Sequence, residues 1–220
     1  MTRRSSTASA VASTRSSEGE ATQTGTRGER LIDTLYDLAV RSDRNGTVSG
    51  DGVPAVVVRT CPCCRFKPEG GFVIPSGTPS VVCQGDGDTP CGATVYATDV
   101  LRLHEAFTDL GGNEETLTRV MNAAEHILLA HYMRIGAQEN LSGLSDVCFM
   151  LDGPLAIFGM PAWLNRPILR LIHEIRERQR AIGVQPFLLI GLQKQGQVAD
   201  HLALIGRYLV PNTVLAVSDD

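Results

Sequence analysis

The chain has 220 residues, 43% hydrophobic and 20% charged, with a formal net charge of -4. That length supports one substantial α/β domain, with or without a small satellite. The acidic balance excludes a chain-wide nucleic-acid coat, and no apolar run approaches the roughly 18 residues of a membrane span, so no membrane partner is expected.

Residues 1–28 are rich in Ser, Thr and Arg, and their apolar residues are almost all Ala. Such a segment buries too little surface to offset its ordering entropy, so a disordered tail is expected. An organelle transit peptide is the alternative. No continuous apolar secretory core is seen, and a cytoplasmic location is expected. The globular part is predicted to start near Glu29. Leu31, Ile32, Leu35, Tyr36, Leu38 and Ala39 fall there at helical spacing, so 29–58 reads as an N-terminal helix and linker.

Five of the six cysteines fall within residues 61–91. Cys61 and Cys64 form a C-x2-C pair, and Cys83 and Cys91 supply a second, wider pair. Thiolates on two turns can share one Zn²⁺, with Pro62 stiffening the first turn and Gly92 giving backbone room after the second. Cys63 is an alternative ligand to Cys64. Disulfides need an oxidising compartment. Residues 59–92 are therefore expected to be a zinc-ribbon-like insert with two short strands, 70–74 and 80–82. Four thiolates close the coordination shell, which makes such a zinc structural. Arg59, Arg65 and Lys67 flank the first pair and permit contact with phosphate.

A helix is predicted over 114–134, with Leu117, Val120, Met121, Ala124, Ile127 and Leu128 as its inward face. Glu125 flanks that face and calls for a cation, a hydrogen-bond partner or a metal if buried. His126 and His131 lie off the stripe and are expected at the surface.

Val147–Leu151 is a continuous apolar run, read as a strand buried on both faces, with Cys148 in the core. Asp152 ends it. A helix follows with Asn165 as a candidate cap, and then a strand over 186–192 ending near Lys194. A helix over 197–207, with Leu202 and Ile205 inward, leads to a third strand at 213–217 ending at Asp219. A β-α-β-α-β order implies a parallel sheet whose carboxyl edge gathers Asp152, Lys194 and Asp219. Carboxylates with a lysine suit Mg²⁺ or Mn²⁺ and a phosphate substrate.

Several strings occur in order: Val95-Tyr96-Ala97-Thr98-Asp99-Val100-Leu101, Glu125-His126, Asp152-Gly153-Pro154-Leu155-Ala156, Ala162-Trp163-Leu164, Lys194-Gln195-Gly196 and Ser218-Asp219-Asp220. Together they resemble the NurA family of DNA-repair nucleases, over roughly residues 90–220. The resemblance implies a ribonuclease H-like α/β fold over 93–220, Mn²⁺-dependent cleavage of DNA, homodimers, and docking on a HerA-type hexameric ATPase in end processing or phage defence. It makes Asp152 and Glu125 metal ligands, gives Lys194 a phosphate or metal-bound water to hold, and sets Asp219 along the same edge. The family's early Asp on the first core strand has no counterpart near Cys91-Gly92-Ala93-Thr94. Asp99 is the candidate in its place, with a helix cap as its alternative role. Family members continue beyond Ser-Asp-Asp, so the domain is expected to be incomplete at its C terminus. A catalytically degenerate partner and a zinc-ribbon adaptor for nucleic acid or protein are the competing readings.

Overall fold

The computed structural model describes residues 27–87, 91–107, 113–194 and 197–212. Residues 1–26 of the expected 1–28 tail and the expected third strand with Asp219 lie outside the described residues, while Arg27 and Gly28, expected in the tail, open a helix.

Helix α1 (Arg27–Val40) buries Leu35, Tyr36, Leu38 and Ala39, the apolar stripe read from the sequence. Its last turn is tied outward by Arg41, whose guanidinium donates to Asp37 at 3.0 Å and to Glu174 at 2.6 Å. Three strands follow as an antiparallel meander: β1 (Gly46–Val48), β2 (Pro54–Val58) and β3 (Phe72–Pro75). α1 lies against β1 and β2. A Cβ at Gly46 would overlap the Ala39 backbone, so the close approach of helix and strand requires glycine there. β4 (Ser80–Val82) and β5 (Thr94–Tyr96) form a second antiparallel hairpin. Both short strands expected in the cysteine segment exist. They do not pair with each other: β3 pairs with β2, and β4 with β5.

Two 3₁₀ turns, Ala97–Leu101 and Leu103–Ala106, lead to α2 (Asn113–Glu139), longer than the sequence pattern indicates. Its inward face differs from the expected one. Leu117, Val120, Met121 and Leu128 are exposed, while Ala123, His126, Ile127, Ala130, His131, Met133 and Ala137 are buried. Ile127 is inward as expected, and small residues at 123, 130 and 137 are on the buried side. Both histidines expected at the surface are therefore interior. His131 Nδ1 meets Thr34 Oγ1 at 2.9 Å, and His126 Nδ1 lies 2.8 Å from the Asn122 carbonyl.

The last part is a β-α-β-α run: β6 (Cys148–Leu151), α3 (Asn165–Ala181), β7 (Leu188–Gly191) and α4 (Gln197–Gly206). β6 and β7 pair in parallel, with Leu151 opposite Gly191. The strand β6 is not buried on both faces as expected. Phe149 and Leu151 turn inward, Phe149 packing edge-on against Phe187, whereas Cys148 and Met150 are exposed. Leu202 of α4 is likewise exposed. Gln179, fully buried in α3, accepts the Phe187 N–H at 3.1 Å and donates to the Leu141 carbonyl at 3.4 Å, which fixes the entry to β7. Buried residues of α1, both hairpins, α2, α3 and Phe187 form one contiguous core, and Cys61 and Cys83 belong to it. The described residues thus form a mixed α/β structure with small sheets and four α-helices. No helix among them is long and apolar enough to cross a membrane.

Candidate functional site

Each hairpin carries a pair of converging cysteines in its connecting loop, and the first loop also holds Cys63. Cys61 and Cys64 lie between β2 and β3, and Cys83 and Cys91 between β4 and β5. The two loops repeat one backbone pattern despite unequal length. The Cys61 N–H donates to the Phe66 carbonyl at 2.9 Å and the Arg65 N–H to the Cys61 carbonyl at 3.2 Å. Correspondingly, the Cys83 N–H donates to the Ala93 carbonyl at 2.8 Å and the Gly92 N–H to the Cys83 carbonyl at 3.0 Å. The residue after each second cysteine is left-handed, with φ 64° at Arg65 and 67° at Gly92. This repeat explains how a gap of seven residues serves where two serve in the first pair. The extra residues extend the loop without altering its closure.

The closure aims four sulfurs at one point. The Cys61 and Cys91 sulfurs stand 4.0 Å apart, those of Cys64 and Cys83 3.7 Å, and all four lie within 4.8 Å of one another. Sulfurs about 2.3 Å from a tetrahedral zinc are separated by about 3.8 Å, so the donor set fits Zn²⁺. The four are free thiols and none is in a disulfide. Cys63, the alternative ligand, is exposed and outside the converging set.

Backbone N–H groups prepare the sulfurs for charge. The Gly85 N–H donates to Cys83 Sγ at 3.4 Å. The Ala93 N–H, followed by the neighbouring thiols, brings Cys91 down to about 7, into the thiolate range at neutral pH. Burial pushes Cys83 up to about 12. At Cys64 the Phe66 N–H favours the thiolate, but burial and the surrounding thiols outweigh it and the net direction is upward. Four thiols this close cannot all ionise alone; a dication would supply the missing compensation. Four thiolates on Zn²⁺ carry a formal charge of about -2. Arg65, beside the first pair, offsets part of it.

The second assembly is the carboxyl end of the parallel pair. Asp152 follows β6 by one residue and Lys194 follows β7 by three. The Lys194 ammonium donates to Asp152 Oδ2 at 2.8 Å across the two strand ends. Both side chains are largely exposed, so the pair is accessible and contributes little to stability. Its surroundings are built to hold it. The Leu192 N–H donates to the Leu151 carbonyl at 2.9 Å, and a Cβ at Gly191 would lie 2.7 Å from the Gly153 oxygen. Asn165 clamps the loop after Asp152 by accepting the Ile157 N–H and donating to the Ile157 carbonyl, both at 2.8 Å. Asn165, expected as the cap, is instead the first residue of α3, and its side chain makes this clamp and no capping bond.

The remaining candidates stand apart. Asp99 Oδ2 accepts the Tyr96 N–H at 2.8 Å and closes the turn into the 3₁₀ segment Ala97–Leu101. Glu125 is exposed on α2. Among the described residues, the four cysteines are the only set of three or more donor side chains that converges. One acid, Asp152, reaches the strand-end site, so the described residues do not build a donor set for Mn²⁺ or Mg²⁺. The chain matches no family model, no curated protein and no solved structure.

Proposed function

We propose that the chain is a metal-dependent DNA nuclease of the NurA type, with a structural zinc in its cysteine hairpins and a ribonuclease H-like α/β part. In this reading it processes DNA ends, in repair or phage defence, as a homodimer beside a HerA-type hexameric ATPase. The observation that carries it is the meeting of Asp152 and Lys194 at 2.8 Å on the carboxyl edge of β6 and β7. Ligands bind in open α/β folds at such edges. The ordered strings shared with the family support the same two residues.

Lys194 is a compact cation on a flexible stem, suited to a non-bridging phosphate oxygen. Asp152 holds that ammonium in place until a phosphate arrives. The exposed pair opens at a cost of about 0–1 kcal/mol, so a ligand displaces it readily. In this reading Asp152 would be one ligand of a Mn²⁺ or Mg²⁺ that would supply Lewis-acid activation, although the described residues bring no third donor to it. Asp219 lies outside the described residues. Zinc supplies no chemistry to the reaction: it would be held by Cys61, Cys64, Cys83 and Cys91, and a four-thiolate shell leaves no open position.

The test is cleavage of linear DNA by the zinc-loaded chain in added Mn²⁺. Asp152→Ala is expected to lower the rate by at least about 100-fold, and Lys194→Ala by about 10-fold or more, both at unchanged zinc content. Equal cleavage by Asp152→Ala overturns the reading. A second reading, a non-cleaving zinc adaptor, is favoured by the contrast between a fully converged cysteine set and a single acid at the strand edge. Zinc-dependent DNA binding without any cleavage selects it.

A further inference from the structure

The base of the first cysteine hairpin borders a second basic feature that neither metal reading uses. A cavity of about 370 Å³ is lined by Arg59, Lys67, Asp99, Arg102 and Trp163, together with backbone of β2. A neighbouring cavity of about 450 Å³ shares Asn45 and Trp163 with it and adds Arg44 and Arg166. The two therefore form one track with the indole at their junction.

The charges along the track are unequal. Asp43 is held by Arg166 at 3.1 Å and by Arg170 at 3.2 Å. Arg102 is held by Glu105. Asp99 is turned to the Tyr96 N–H. Arg44, Arg59 and Lys67 have no ion-pair partner among the described residues, and Arg59 donates only to the Arg44 carbonyl, at 2.8 Å. The three uncompensated cations thus gather on one face of a chain that is acidic overall. Trp163 is anchored from behind: its Nε1–H donates to the Val100 carbonyl at 3.2 Å, and the ring stays half-buried.

We infer that this track binds single-stranded nucleic acid, its phosphates on Arg59, Lys67 and Arg44 and one base against Trp163. Cations beside an anchored aromatic are what a flexible phosphodiester chain requires. Each cavity is of the size that takes a single small-molecule group, about 300–1,000 Å³. One nucleotide fits that scale and a duplex does not. The choice of DNA rather than RNA rests on the nuclease reading; the track itself does not depend on Asp152.

Trp163 is the only tryptophan in the chain, so its emission reports directly on the track. The zinc-loaded full chain is titrated with a twelve-residue oligothymidylate without Mn²⁺ or Mg²⁺. Saturable quenching is expected. The Arg59→Gln, Lys67→Gln double variant, with zinc content unchanged, should bind about tenfold or more weakly, and the salt dependence of log Kd should flatten by about one to two. Unchanged emission, or unchanged affinity in the double variant, overturns the track. Tenfold preference for the matching RNA overturns the DNA assignment. The two proposals fail separately. Normal cleavage and affinity in the double variant remove the track alone. Quenching in an Asp152→Ala chain whose parent never cleaves removes the nuclease alone.

Discussion

Arg65 and Gly92 hold equivalent left-handed positions, one after each second cysteine, and only one of them is glycine. A Cβ at Gly92 would meet nothing within 4 Å, so glycine is needed there for conformation and not for space. Gly92→Ala is expected to lower stability by about 1 kcal/mol, read as a lower Tm of the zinc-loaded chain. Arg65 bears the same strain and recovers part of it by reaching Glu105 at 3.7 Å. The adjacent cysteines separate more sharply. Cys64→Ser should lose the bound zinc, whereas Cys63→Ser should keep one zinc per chain, measured by metal analysis after gel filtration. The opposite result would place Cys63 in the shell. From sequence alone Cys64 is favoured by its C-x2-C spacing, with Cys63 as the alternative. The backbone closure shared with Cys83 and Cys91 distinguishes them.

At the scale of elements, α2 shows how far a hydrophobic pattern reaches. Its existence and start were legible, but its face was not. Leu117, Val120, Met121 and Leu128 dominate the hydrophobicity stripe, and here they stand outside, while Ile127 and Leu129 are buried. The core side is formed by Ile127, Leu129, Ala130, Met133 and Ala137, with Ala123 buried beside them. The histidines followed the same misreading, because a polar residue is assumed to face water. His131 instead finds Thr34 across the helix pair. Met133→Ala should cost about 2–5 kcal/mol, and Met121→Ala should stay within about 0.5 kcal/mol, by urea denaturation. Equal losses would return α2 to the face its leucines suggest. The β6-α3-β7 crossover was legible because its apolar strands and helical stripe are local signals, whereas Asn165 does not cap α3. The exposure of Cys148 and Met150 was not, since it depends on what lies against the sheet.

Over the whole molecule, the cysteine segment is part of the core. Cys61 and Cys83 are fully buried among residues of α1 and the hairpins, so a metal held there would be coupled to folding. Clustering of cysteines was visible in the sequence; their place in the core was not, because it arises from contacts between distant elements. The strand-end pair and the basic track both depend on this framework: Arg59 and Lys67 flank the first cysteine pair, and α1 joins the hairpins to α2 and α3. Stripping zinc with a chelator should therefore lower Tm by at least about 10 °C and weaken oligonucleotide binding. The central claim, a four-sulfur zinc that closes this core, is met most directly by X-ray absorption at the zinc edge of the purified chain. One zinc per chain with four sulfurs at about 2.3 Å is the predicted result. A chain that folds without zinc, or a shell containing nitrogen or oxygen ligands, would contradict it.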